Sequence, residues 1–111
     1  MRASIAAAGL LLASCGPQDP REARIDNIQD QAADEAQAIR ASADNVADGM
    51  RAQAETLSNQ ARASVGYTAE QFDTRAASLK KQAEIVERQA KAKAQAVRDR
   101  ATADVSAIRA E

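Results

Sequence analysis

The chain has 111 residues and a net charge of −1, and although 45% of it counts as hydrophobic, roughly a quarter of all residues are alanine and only Tyr67 and Phe72 are aromatic. Large apolar side chains stabilise a core by about 1.5–3 kcal/mol each when fully buried; here they are too few and too scattered for a globule, which excludes an ordinary compact enzyme domain. Histidine is absent, removing the commonest general base and transition-metal ligand, and no phosphate loop, nucleophile elbow or calcium-type carboxylate cluster occurs. No catalytic residue, metal site, cofactor or nucleic-acid contact is expected.

Residues 1–14 begin with one positive charge, Arg2, and continue as an apolar and small-residue run from Ile5 to Ala13. That run is shorter than the about 20 residues a spanning helix needs and fits an export signal. Leu12-Ala13-Ser14-Cys15 resembles the lipobox of bacterial lipoproteins. The resemblance implies cleavage before Cys15, the only cysteine, with its thiol carrying diacylglycerol and its new amino group often acylated as well. Two or three acyl chains anchor a protein where one binds only marginally. Gly16, rather than Asp, follows the cysteine, which under the enteric sorting rule implies the outer membrane, facing the periplasm.

Residues 15–19 form the lipidated cysteine and a short spacer. Asp19-Pro20-Arg21-Glu22 is a helix start: Asp19 as N-cap, Pro20 at the first helical position, Glu22 closing a capping box. A first helical arm is expected over 20–65, interrupted in composition only by Gly49. A turn is expected over 66–68, where Gly66 supplies the left-handed conformation that ends a helix. Thr68 with Gln71 makes a second capping box there, and Tyr67 with Phe72 a hydrophobic staple. The second arm covers 69–111.

Both arms carry a narrow stripe of larger apolar residues: Ile28, Ile39, Val46, Met50 and Leu57, then Phe72, Leu79, Val86, Val97 and Ile108. Steps of seven mix with steps of eleven, and alanines such as Ala32, Ala43, Ala61, Ala83, Ala90 and Ala101 lie between them. This is the pattern of a helix-packing seam. The predicted fold is all-α: a long two-helix antiparallel hairpin, coiled-coil-like, with an alanine-rich seam and no globular core. Folding at Gly66 so that paired positions add to about 133 sets Ile25 against Ile108, Ile28 against Val105, Val46 beside Val86, Met50 beside Ala83, Ala54 beside Leu79 and Ala61 beside Phe72. The same register brings Arg98, Arg100 and Arg109 to the acidic ladder Glu22, Asp26, Asp30 and Asp34, whose like charges at i,i+4 spacing repel on an isolated helix. The halves have opposite charge: nine acids and five bases over 16–66, seven acids and nine bases over 67–111.

In outline the chain is similar to the small alanine-rich murein lipoproteins of Gram-negative outer membranes: lipobox, spacer, helical coil. It departs from them in ending Ile108-Arg109-Ala110-Glu111, without the C-terminal lysine of the covalently attached members, so attachment by that route is not expected. The resulting expectation is a lipid-anchored envelope protein with a structural or accessory role, partnered by the membrane through its acyl chains and by a second copy or another envelope protein. An amphipathic lipid-surface or stress-protective helix and an adaptor subunit are the other two readings. Arg88, Lys91, Lys93, Arg98 and Arg100 form the one basic cluster, a candidate for weak anionic-surface contact, against the simpler view of a solvated face balanced by Glu84, Glu87 and Asp99.

Overall fold

The computed structural model describes residues 19–111. They form two α-helices, α1 (Pro20–Arg62) and α2 (Gly66–Arg109), with no strand among the described residues. At 1.5 Å per residue each helix is roughly 65 Å long. The helices run antiparallel: Arg24 meets Glu111 at the open end and Arg51 meets Glu87 further along the rod. Leu12, Ala13, Ser14 and Cys15 lie outside the described residues.

Asp19 caps α1. Its side chain accepts the Arg21 amide at 3.0 Å and its carbonyl accepts the Ala23 amide, while Pro20 and Glu22 occupy the first turn. Pro20 has no amide to leave unsatisfied, and the Glu22 charge faces the positive end of the helix dipole. At the other end the Ala63 amide donates to the Asn59 carbonyl and the Ser64 amide to the Ala61 carbonyl, a tightened last turn that satisfies orphan carbonyls.

The reversal falls earlier than the 66–68 expected from the sequence. Residues 63–65 make the turn, and Gly66, at φ +65°, already opens α2. The N-cap is Val65 in extended conformation, with no side-chain capping bond. Thr68 and Gln71 therefore lie inside the helix and form no capping box. Tyr67 is 74% exposed, so it does not staple onto Phe72, which is half-buried. The physical reason is local. A glycine with positive φ completes the change of direction by itself, and the residues after it can enter helical geometry at once.

The helix contact is made by alanine. Eleven of the fourteen buried apolar residues are alanines, and only Ile25, Val105 and Ile108 add bulk. Buried positions recur eleven apart: Ile25, Ala36 and Ala47, with Ala32, Ala43 and Ala54, on α1; Ala83, Ala94 and Val105, with Ala90 and Ala101, on α2. Eleven residues in three turns is about 3.67 per turn, close to a straight helix, so the contact line follows the rod with little supercoiling. Ala32, Ala43, Ala61, Ala83, Ala90 and Ala101 lie on the seam as expected, whereas most of the large residues expected with them flank it. Ile28, Ile39, Met50, Leu57, Phe72, Leu79, Val86 and Val97 are half-buried, Val46 is exposed, and Ile108 alone is buried.

Packing geometry explains the inversion. Two helices sharing one line of contact have no third element to fill gaps, and small residues on that line let the backbones approach at the short end of the usual range of about 8–10 Å. The register near 133 then sets a buried alanine against a half-buried larger residue layer by layer, as Ala36 with Val97, Ala47 with Val86, Ala83 with Met50 and Ala76 with Leu57. At the open end Ile25, Val105 and Ile108 form a buried cluster with Ile28 packed on it, as that register requires.

Candidate functional site

The alanine seam divides the hairpin into two unlike faces. On α1, Ile28, Ile39, Val46, Met50 and Leu57 each stand three residues after a buried seam position; on α2, Leu79, Val86 and Val97 do the same. Three residues on a helix is a rotation of about 300°, so all of them fall to the same side of the contact line. Because the helices are antiparallel, equal offsets place both sets on one face. Ile39 and Val46 accordingly share an open groove of about 500 Å³ with Val86, and Ile28 shares one with Val97.

Four residues after Ile25, Ala36, Ala47 and Ala54 on α1 and after Ala76, Ala83, Ala94 and Val105 on α2 the chain turns to the other side, and the residues there are polar or charged: Gln29, Arg40, Arg51, Ser58, Lys80, Glu87, Arg98 and Arg109. There, Arg40, Asp44, Glu84, Glu87, Arg88 and Lys91 line a second open groove. Its strongest link crosses the helices: Arg51 donates from Nη1 and Nη2 to the two carboxylate oxygens of Glu87, at 3.0 and 2.8 Å, and Arg51 Nη1 also reaches Asp48 at 3.4 Å. A bidentate guanidinium–carboxylate pair fixes direction as well as distance. The hydrogen bond from Arg51 holds the Glu87 carboxyl below its ordinary value, and the same bond raises Arg51 further above its own. Within α2, Arg88 and Glu84 pair at 3.7 Å. Glu87, grouped by sequence with the local helical pairs, is instead the partner of Arg51 across the seam.

The acidic ladder is met as the register implies at its start, where Arg109 shares an open pocket with Glu22 and Asp26. The basic cluster is not brought together. Arg88 and Lys91 sit on the charged face with Arg98, whereas Lys93 and Arg100 edge the apolar grooves. Five residues within one stretch of helix necessarily spread around its circumference, and here the seam separates them. The turn forms a third feature, a tip on which Val65 is 89% exposed and Tyr67 74% exposed.

Among the described residues no group of three potential metal ligands assembles, and no described helix is long and apolar enough to cross a membrane. What the arrangement offers is surface for binding along its length. The chain matches no known protein-family model, no curated protein and no solved structure. Placing the large residues on the seam hides the division into faces. Part of its signal is in the chain: Ala36, Ala47, Ala76, Ala83 and Ala94 each have a larger apolar residue three positions on and a charged one four positions on.

Proposed function

We propose that this protein is a small bacterial envelope lipoprotein, anchored through an acylated Cys15, whose helical hairpin serves a structural or accessory role by helix–helix association. The observation that carries the reading is Leu12-Ala13-Ser14-Cys15 directly after a short apolar run with a positive start, leading within a few residues into a capped helix. The membrane-facing chemistry belongs to the acyl chains, which supply about 0.8 kcal/mol per buried methylene. The body supplies reach. A spacer of four residues connects Cys15 to Pro20 at the open end, so a hairpin of roughly 65 Å carries its Val65 and Tyr67 tip well away from the anchoring leaflet. With Gly16 after the cysteine, the leaflet proposed is that of the outer membrane facing the periplasm.

The shape supports an accessory role over chemistry: the grooves along the described residues lie open to solvent, whereas a reacting group is held and desolvated in an enclosed recess. A lipid-surface role is the second reading, favoured by the one-sided placement of the large apolar residues. The test is the intact mass of the protein extracted from membranes of a bacterial host. A mass equal to residues 15–111 plus two or three acyl chains supports the anchor. An unmodified full-length mass, or cleavage elsewhere with a free thiol, overturns it.

A further inference from the structure

The apolar face is left half-covered by the hairpin's own fold. Val46 is 46% exposed, and Ile39, Met50, Leu57, Leu79 and Val86 are only partly buried along the same side of the seam. We propose that this face packs against the same face of a second copy, giving a four-helix rod with the charged faces outward. The proposal deepens the accessory reading by naming its partner, and it does not depend on whether Cys15 is acylated.

Three observations select a second copy. The first is area: a face roughly 65 Å long and about 15 Å wide offers on the order of 1,000 Å² per copy, against about 800 Å² per partner in a stable dimer. The second is charge balance. The grooves on this face are edged by two acids, Glu35 and Asp104, and two bases, Lys93 and Arg100, a mixed rim that suits a self-complementary contact better than an anionic bilayer. The third is register. Glu35 and Arg100 lie at nearly the same height on opposite helices, and among the described residues neither has an ion-pair partner. A two-fold axis along the rod stacks α1 of one copy on α2 of the other and sets each Glu35 against the partner's Arg100. It also leaves both open ends at the same end, and every neighbouring pair of helices antiparallel.

The full chain in mild detergent, with its protein mass read by light scattering, tests this. The wild type is expected at twice the chain mass. Val46→Glu places an unpaired charge in the contact and is expected to weaken the dimer by roughly tenfold or more with helical circular dichroism unchanged. Ala33→Glu, at an exposed α1 position on the charged side, is expected to remain dimeric. Glu35→Arg is expected to weaken association and the double variant with Arg100→Glu to restore it. A monomeric wild type overturns the proposal, as does equal loss in Val46→Glu and Ala33→Glu. A monomer that floats with phosphatidylglycerol vesicles through Val46 overturns it in favour of a lipid surface. The intact-mass measurement reports separately on the anchor.

Discussion

The open end and the middle of the hairpin are held in different ways. At the open end Ile25, Val105 and Ile108 are buried against one another with Ile28 beside them, a small conventional cluster of branched side chains. From Ala32 to Ala61 on α1 and from Ala76 to Ala101 on α2, every buried residue is alanine. The first arrangement stabilises through apolar area; the second stabilises through closeness of backbones, and it leaves the larger side chains partly in water. A two-helix object has one line of contact, so bulk and proximity compete for it. Bulk wins only at the open end; at the turn the buried residues are again alanines, Ala61 and Ala76.

Truncation at the open end is expected to have the largest effect. Ile108→Ala removes most of a buried side chain from the cluster and is expected to cost about 2–4 kcal/mol, near the low end if the frayed ends collapse onto the gap. It is read by thermal or urea unfolding followed through helical circular dichroism, with hydrogen exchange rising first in residues 20–30 and 100–109. If that loss is no greater than that of an exposed alanine substitution, the cluster is not what holds the open end.

Enlarging the middle comes next. Ala47 is fully buried, and Ala47→Leu, chemically favourable on any hydrophobicity scale, is expected to destabilise by about 1–3 kcal/mol because it wedges the helices apart. A neutral or stabilising result breaks the distinction between the two regions.

The two glycines sharpen it at about 1 kcal/mol each, with opposite signs. Gly49 lies within α1 with open space where a methyl group would sit and no positive φ, so Gly49→Ala is expected to stabilise by about 1 kcal/mol through helix propensity. Gly66 has equal space but φ +65°, and Gly66→Ala is expected to destabilise by roughly 1–2 kcal/mol through backbone strain alone. Thermal melts of the two variants, run side by side, check the sign.

The smallest effect is expected from the charged face. Because Arg51 holds the Glu87 carboxyl below its ordinary value of 4.5, the pair's contribution is present above the ordinary carboxylate range. It is lost as pH falls through the lowered value. Wild type and Glu87→Gln should therefore differ slightly near neutral pH and converge in acid, with the difference shrinking in salt because the pair is solvent-accessible. A gap that widens in acid contradicts the assignment.

Much of the fold is legible in the sequence because helices are written locally. Asp19 followed by Pro20, the uninterrupted helix formers to Arg62, and a glycine at the reversal are signals carried within a few residues. The register is legible too, since pairing Ile25 with Ile108 also sets the basic end of α2 against the acidic start of α1. Two features are not. Thr68 and Gln71 have the form of a capping box, but whether a box is used depends on where the preceding reversal ends, and Gly66 ends it first. The large apolar stripe has the form of a contact line, because hydrophobicity ranks Leu57 and Val86 above Ala54 and Ala83; burial ranks them the other way.

By itself, then, the sequence determined two long helices, their antiparallel pairing and register, and the Cys15 motif on which the proposed anchoring rests. The helices and the motif follow from propensity and short-range chemistry, and the pairing and register from matching the apolar and charged positions of the two helices. The tertiary structure alone decided that the larger residues stand beside the alanine contact line and not on it, and hence which face remains apolar. That choice depends on how closely two backbones approach, and closeness is a property of the pair: alanine takes the centre because nothing larger fits between helices with no third element to share the load.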